Sequence, residues 1–384
     1  MKVDNDTSPA QTRPRTALVL PGGGARGAYQ AGVLKAIAEF DTTGRNPFPV
    51  ICGVSAGAIN AAVVASHAHE FAAGIGRLEH FWSTMYCARV YRTDVLCVLG
   101  TALRWAISLP LGGRWVAHPK SLLDNRPLRH FLENTLQLEG VAKAIKSGDL
   151  HGVAITASGY TVASAISFFQ AEQAVESWSR ERRLGIRAGL TTDHLLASSA
   201  LPLIFPAVQI GNEYFGDGGM RMITPLSPAI HLGADRLLVI TTRDEHPDPP
   251  PQQSLPYPSL GEIGGYLLDT VFMDTINADL NRLNRINRTL ALIPDDLRAD
   301  SELKTIASLV IRPSQDLRAV TQRHVGDIPR AVRLLLRSLG GWGRDWRLAS
   351  YLLFEAAYCQ ELIALGYQDG MAMRDEITSF VEGH

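Results

Sequence analysis

The sequence lacks several features that would assign a protein class directly. Its four cysteines show neither metal nor disulfide spacing, which predicts no metal site and favours a reducing, cytoplasmic compartment. They are Cys52, Cys87, Cys97 and Cys359. An excess of one charge is also lacking, since the sequence has 37 basic and 38 acidic residues. This balance argues against a nucleic-acid partner held by bulk charge.

Long hydrophobic runs are lacking as well. The polar segment 1–15 contains no apolar core of a signal peptide, and it is expected to be a flexible tail. The most apolar stretch, 95–113, is interrupted by Arg104 and Pro110, and its uncharged pieces are too short to span a bilayer. A buried or capping helix is the favoured interpretation. An interfacial segment, with peripheral membrane contact, remains the alternative.

Hydrophobic residues make up 46% of the 384 residues, which is enough for a packed core. The chain begins with a predicted strand at 16–20, a glycine-rich turn and a helix at 28–40. A second apolar strand at 48–52 and a helix at 56–66 follow. This order predicts a parallel, right-handed βαβ unit and therefore an α/β fold.

The turn after the second strand reads Gly-x-Ser-x-Gly and consists of Gly53, Val54, Ser55, Ala56 and Gly57. A strand, a tight turn and a helix in this order hold a serine hydroxyl out at the mouth of a parallel sheet. The two glycines leave room for a strained backbone, and the helix points its amide end at the reacting centre. Ser55 is therefore the candidate nucleophile.

The turn after the first strand fits two patterns and consists of Gly22, Gly23, Gly24, Ala25, Arg26 and Gly27. It fits a dinucleotide fingerprint, and it also fits an oxyanion hole of bare backbone amides. Nucleotide binding needs an acidic residue at the end of the second strand, but Asp41 lies before that strand. An oxyanion hole beside Ser55 is favoured, because neighbouring parallel strands end side by side. Arg26 either adds charge to this hole or pairs on the surface.

A serine hydroxyl needs a base before it can attack. Four of the eleven histidines follow the glycine motifs late enough for a Ser-His-Asp triad, but none lies in a glycine-flanked turn after a strand. They are His231, His246, His324 and His384. Asp217 does lie in such a turn, before Gly218 and Gly219. A free aspartate is a weak base with a pKa of about 3.9, so this role requires partial desolvation.

The remaining pattern predicts a domain organisation. Strands are expected at 153–156, 161–169, 213–215, 236–241 and 306–312, and helices at 191–199 and 225–232. A long amphipathic helix is expected through Leu267, Val271, Ile276, Leu280, Leu283 and Ile286. The predicted units are a tail at 1–15, a catalytic domain at 16–245, a proline-rich linker or loop at 246–260 and a mainly helical extension at 261–384.

The three glycine motifs together resemble the patatin-like phospholipase family. The resemblance lies in residues 22–27, in 53–57 and in 217–219, and the run 197–206 ahead of Asp217 also resembles the family pattern. It covers residues from about 16 to 242, and segment 348–366 is a less specific match to longer bacterial members. Residues 70–150 match no named motif and are expected to form much of an acyl pocket.

The resemblance implies a three-layer α/β/α fold with a mostly parallel sheet, here with a helical C-terminal extension. It also implies a Ser–Asp dyad without histidine: Ser55 as nucleophile, Asp217 as proton acceptor and residues 22–27 as the oxyanion hole. The implied reaction is hydrolysis of an acyl ester in a phospholipid or related lipid, with no metal or organic cofactor. An acyltransferase or thioesterase with the same dyad is one alternative. A non-catalytic nucleotide-binding or regulatory protein is the other.

Overall fold

The computed structural model describes residues 14–41, 43–94, 100, 120–244, 257–298, 303–343 and 346–383. Three of the segments interpreted above therefore lie wholly or mostly outside the described residues. They are the tail at 1–13, the apolar stretch 95–113 apart from Gly100, and the proline-rich stretch at 246–256.

One sheet organises the molecule. Its strands are β1 (Thr16–Leu20), β2 (Val50–Val54), β3 (Gly152–Gly159), β4 (Ala165–Ala171), β5 (Trp178–Arg180), β6 (Arg183–Arg187), β7 (Val208–Ile210), β8 (Glu213–Asp217), β9 (Arg236–Ile240) and β10 (Ala307–Ile311). The order is β10-β9-β1-β2-β3-β4-β6-β5, and the hairpin of β7 and β8 joins at β3. The five strands from β10 to β3 are all parallel, as the βαβ start predicted.

Helices cover both faces of the sheet. They are α1 (Ala28–Phe40), α2 (Ala56–Ser66), α3 (Phe71–Ser83), α4 (Cys87–Val90), α5 (Arg126–Thr135), α6 (Glu139–Ser147), α7 (Thr192–Ser198), α8 (Ser227–His231), α9 (Leu260–Asp269), α10 (Thr275–Ala291), α11 (Asp295–Arg298), α12 (Leu317–His324), α13 (Arg330–Ser338), α14 (Arg347–Leu352), α15 (Ala356–Ala372) and α16 (Arg374–Glu382). Alternate residues of β1 face opposite cores, with Leu18 in the larger and Val19 in the smaller. The three-layer α/β/α prediction is confirmed.

The C-terminal helices pack against the first helix of the chain. A Cβ atom on Gly32 of α1 would lie 2.0 Å from the carbonyl oxygen of Ile363, and one on Gly366 of α15 would lie 2.2 Å from that of Tyr29. The two backbones can approach this closely only because neither glycine has a side chain. Together with β10, which pairs with β9, this contact builds the helical C-terminal region into the same body as the sheet.

Two predicted elements differ in the structure. The strand expected at 161–169 begins only at Ala165, because Ala163 has a positive φ of 48° and the chain turns there. The long amphipathic helix is interrupted by a π-helical turn, Thr270–Asp274, between α9 and α10. A π-turn adds a residue to the helical repeat and so changes which face points to the core. Leu280 and Leu283 are buried accordingly, whereas Leu267 is 55% exposed.

Candidate active site

Ser55 occupies a strained turn between β2 and α2. Its φ of 55° and ψ of −128° are values that residues with a side chain rarely adopt. A Cβ atom on Gly53 would lie 2.3 Å from the carbonyl oxygen of Gly57, and one on Gly57 would lie 2.1 Å from that of Leu20. Both glycines are therefore needed for the chain to make this turn, which presents Ser55 at the amino end of α2.

The glycine-rich turn lies beside the Ser55 turn, because Leu20 at the end of β1 pairs with Gly53. Side chains hold its carbonyl groups: Thr242 Oγ1 donates to the Gly22 oxygen at 2.9 Å, and Asn60 Nδ2 donates to the Gly27 oxygen at 3.0 Å. Within the described ranges, no loop, turn or cap carbonyl accepts a hydrogen bond from the amides of Gly22, Gly23 or Gly24. The carbonyl oxygens of Gly22 and Gly27 are thus occupied, whereas no bond of this kind among the described residues uses these three amides.

Arg26 is buried beneath this turn and does not pair at the surface. Its Nη1 atom lies 3.0 Å from Oδ1 of Asp269, its Nε donates to Ser350 Oγ at 2.8 Å, and its guanidinium lies over the Tyr351 ring. Burial would raise the pKa of Asp269, but the positive charge of Arg26 and the hydrogen bond from Tyr351 outweigh it and hold that pKa below its usual value. The charge of Arg26 is thus already balanced by a carboxylate.

Strand β8 brings Asp217 to the end of β2. On β3, Val54 is paired with Thr156, and Asp217 is paired with the next residue, Ala157. Strand β8 therefore continues along the edge of β3 where β2 stops, running in the opposite direction. This register places Asp217 and Ser55 at the same point of the sheet, although they lie far apart in the sequence.

The Asp217 carboxyl is fully buried. Burial raises its pKa to about 7, although hydrogen bonding from the Ser55 hydroxyl and the Gly219 amide lowers it. Oδ1 accepts a hydrogen bond from the Gly219 amide at 2.9 Å. Among the described residues, no donor meets Oδ2 with the distance and angles of a regular hydrogen bond. The Ser55 hydroxyl is nevertheless close enough to this carboxyl to lower its pKa. The structure brings the candidate nucleophile and the candidate base together.

Segment 198–200 connects these two turns, and the motifs did not single it out for a role. Ser198 Oγ accepts a hydrogen bond from the Ser55 amide at 2.9 Å and donates one to the Thr156 carbonyl at 2.6 Å. The Asp217 amide donates to the Ala200 carbonyl at 2.8 Å. The sequence pointed to this segment only through the run 197–206 ahead of Asp217. That run does not show which backbone groups the Ser198 hydroxyl contacts.

Ser55 lines a mostly apolar cavity, whose empty space amounts to about 460 Å³ when the part open to solvent is included. The lining residues are Gly24, Ser55, Ala56, Ile59, Phe81, Trp82, Met85, Val90, Leu128, Ser199, Leu201, Phe205, Tyr351 and Phe354. Five of them, from Phe81 to Leu128, belong to the region that matched no motif, and two come from the C-terminal helical region. The cavity is therefore assembled from four separate parts of the chain, 24–59, 81–128, 199–205 and 351–354.

No described histidine lines this cavity. His231 stacks on Trp178 with ring centres 4.8 Å apart, and His324 bonds to Glu361. His246 and His384 lie outside the described residues. The described ranges contain no group of three or more His, Cys, Asp or Glu side chains able to hold a metal ion. Nor do they contain a helix long and apolar enough to cross a bilayer.

A family model described as "Patatin-like phospholipase" matches residues 18–230. The chain is similar to VipD from Legionella pneumophila, with 12% identity over 95% of this chain and 67% of that chain, at a TM-score of 0.33. It is also similar to human GIVD cytosolic phospholipase A2, with 12% identity over 96% of this chain and 60% of that chain, at a TM-score of 0.46. A third similar structure is the ExoU–SpcU complex of Pseudomonas aeruginosa, with 14% identity over 97% of this chain and 74% of that chain, at a TM-score of 0.30.

The chain thus spans about 60% of the length of the human enzyme. No curated protein sequence is significantly similar to it. The family model covers more than half of the chain, including the Ser55 turn and the Asp217 turn. The protein therefore belongs to the patatin-like phospholipase family.

Proposed function

We propose that the protein is a serine lipid acyl hydrolase, a phospholipase A or lysophospholipase, that cleaves acyl esters through an acyl-enzyme on Ser55. Membership of the family supports a lipid substrate and ester hydrolysis. The observation that carries the finer proposal is a fully buried Asp217, with a pKa of about 7, beside Ser55 at an apolar cavity.

Asp217 is proposed as the proton acceptor. A carboxylate with its ordinary pKa would be too weak a base for a serine hydroxyl, whereas a pKa close to the working pH favours proton transfer. Asp217 takes the hydroxyl proton as Ser55 Oγ bonds to the ester carbonyl carbon, and it returns the proton to the departing alcohol. Water then attacks the acyl-enzyme and gives a proton to Asp217. Asp217 passes this proton to Ser55 Oγ as the acyl–oxygen bond breaks, which releases the fatty acid and regenerates the Ser55 hydroxyl.

The turn at residues 22–27 is proposed as the oxyanion hole. The bonds from Thr242 and Asn60 occupy the carbonyl oxygens of Gly22 and Gly27, and the amino end of α1 follows directly. Amides held in this way can donate to the negative charge that develops on the carbonyl oxygen, without reorganising. Arg26 has the role of a positioning residue, because its charge is engaged by Asp269 under the turn.

Two substitutions test the dyad. Ser55→Ala and Asp217→Asn are each expected to lower fatty-acid release from a mixed lipid extract at least about a hundredfold. Ser66→Ala is the matched control, since Ser66 is another buried serine and its hydroxyl donates to the Ala62 carbonyl of its own helix. Wild-type turnover in folded Asp217→Asn protein would show that this carboxylate is not the base.

The fate of the acyl group separates hydrolysis from transfer. With ¹⁸O-labelled water, a hydrolase places the label in the released fatty acid. An acyltransferase instead forms a new ester with an added alcohol or lysolipid, and a thioesterase prefers acyl thioesters over oxygen esters. Labelled fatty acid as the main product from phospholipid is the expected result.

A further inference from the structure

Helix α9 exposes large apolar side chains to solvent. Leu260 is 73% exposed, Tyr266 59%, Leu267 55% and Ile263 37%. Their spacing places them on one side of the helix, which we name the α9 apolar face. The two charged residues of α9 lie elsewhere: Glu262 caps the helix by accepting a hydrogen bond from the Ser259 amide, and Asp269 is buried. The outward side of this helix therefore carries no charge.

The opposite side of α9 is held tightly against the protein. A Cβ atom on Gly261 would lie 2.3 Å from the backbone nitrogen of Gly341, and one on Gly265 would lie 2.7 Å from the Cβ atom of Arg347. Asp269, one turn further along, bonds to Arg26. Because small residues and a buried ion pair fix this side, the apolar face points away from the core.

The chain that continues from α9 reaches the turns of the candidate active site. The π-turn after α9 provides Val271, which lines an apolar pocket together with Gly22, Gly53 and Gly219. These glycines belong to the three turns that form the candidate active site. Helix α9 therefore leads directly into a segment that contacts these turns.

Positive charge lies on a helix that adjoins α9. Helix α13 contains three arginines and no acidic residue, and Arg330 and Arg337 are exposed together with Leu334. Its C-terminal end contacts the start of α9, since the Gly261 amide donates to the Leu339 carbonyl at 2.7 Å. An exposed apolar helix face and an adjoining helix with exposed arginines are a combination that suits the interface of an anionic membrane.

We propose that the α9 apolar face docks on an anionic phospholipid surface, with Leu260, Ile263 and Leu267 among the acyl chains and the arginines of α13 near the headgroups. This inference rests on the proposed function, because docking would serve to bring a lipid substrate to Ser55. A second copy of the chain fits less well as the occupant. A two-fold interface pairs a surface patch with itself and would bring these like charges together.

Vesicle binding in the Ser55→Ala background tests docking without lipid breakdown. The protein is expected to co-sediment with phosphatidylcholine vesicles that contain phosphatidylglycerol. Ile263→Glu/Leu267→Glu is expected to lower the partition coefficient at least about tenfold, because two charges replace inserted apolar groups. Leu292→Glu is the matched control, since Leu292 is an equally simple apolar side chain, 84% exposed at the end of α10. Ile263→Phe keeps the face apolar and should keep binding.

The arginines give a second, independent readout. Arg330→Gln/Arg337→Gln should lower binding to the anionic vesicles and leave any binding to pure phosphatidylcholine unchanged. The docking proposal is overturned if the Glu double variant, shown to be folded by circular dichroism, binds as well as its parent. It is equally overturned if that variant changes only the oligomeric state, or if the parent does not bind vesicles.

A soluble substrate separates docking from chemistry. With the serine restored, Ile263→Glu/Leu267→Glu should hydrolyse a monomeric short-chain ester within about twofold of wild type and hydrolyse vesicle lipid much more slowly. Vesicle binding by a protein that cleaves no ester would remove the proposed function and leave docking in place. Equal losses on soluble and vesicular substrates would overturn docking as the role of this face.

Discussion

The carboxyl group of Asp217 connects the chemistry of the site to pH. If this group is the base, kcat/KM for a soluble ester should rise tenfold per pH unit on the acid side and level off near pH 7, where the carboxylate becomes the main form. The measurement is a pH profile of kcat/KM with the wild-type protein. An acid limb centred near pH 4 would mean that the essential base is an ordinary, solvated carboxylate.

The same group should make stability depend on pH. The folded-state pKa is about 7, above the unfolded value of about 3.9, so the folded protein holds the proton more tightly. The free energy of unfolding is therefore highest below pH 4 as far as this group is concerned, and it falls as pH rises toward 7. Asp217→Asn removes the titration. Its stability relative to wild type should increase by roughly 2–4 kcal/mol between pH 5 and pH 8 in urea unfolding. A difference that does not change with pH would contradict the buried carboxylate.

Individual residues were predictable where a local pattern carries them. Ser55 and Asp217 each lie in a glycine-flanked turn after a strand, and the structure places both turns together. Ser198 and Asp269 have no such pattern. The bond from Ser55 to Ser198 spans 143 residues, and the one from Arg26 to Asp269 spans 243. Such partners depend on how distant elements pack, which local sequence does not encode.

At the scale of elements, two glycines in helices should respond in opposite ways to alanine. Gly57→Ala places a methyl group 2.1 Å from the Leu20 carbonyl oxygen, so β1 and α2 must separate, and overpacking of this kind costs about 1–3 kcal/mol or more. Gly76→Ala, in α3, meets nothing within 4 Å and should stabilise by about 0.5–1 kcal/mol. Chemical unfolding measures both, and equal effects would contradict the close contact at Gly57.

Elements with a strong apolar period were predicted well, whereas two short polar strands were missed. Strands β1, β2 and β9 are continuous apolar runs, as expected for strands covered on both faces. Strands β5 and β6 were not predicted, because both strands are short and residues 178–187 are rich in arginine and largely exposed. The π-turn was also missed, since apolar spacing alone cannot show where a helix changes its repeat.

For the whole molecule, the buried pair of Arg26 and Asp269 links the glycine-rich turn to the C-terminal helices. Asp269→Asn leaves the Arg26 charge buried and should lower the free energy of unfolding by about 3–5 kcal/mol. Arg26→Met should cost less, because Asp269 keeps Arg347 at 3.2 Å and the Tyr351 hydroxyl at 2.8 Å. Urea unfolding of both variants is the measurement. If Arg26→Met lowered the free energy of unfolding more than Asp269→Asn, Asp269 would depend on Arg26 more than Arg26 depends on Asp269.

The overall architecture followed from the βαβα order at the start of the chain, whereas the contribution of the C-terminal region did not. Segment 348–366 was recognisable only as a weak likeness. In the structure this part of the chain provides Tyr351 and Phe354 to the cavity wall and packs α15 along α1. An amphipathic pattern shows that a helix will be buried, but it does not name the surface that will bury it.

The composition of this wall has a consequence during protein synthesis. Ribosomes make the Ser55 turn early and the segment with Tyr351 and Phe354 much later. A nascent chain that already contains Ser55 still lacks one side of the cavity, and its Arg26 has not yet met Asp269. Closure of the cavity wall is thereby delayed until the late helices have been translated and have folded back onto the amino-terminal half.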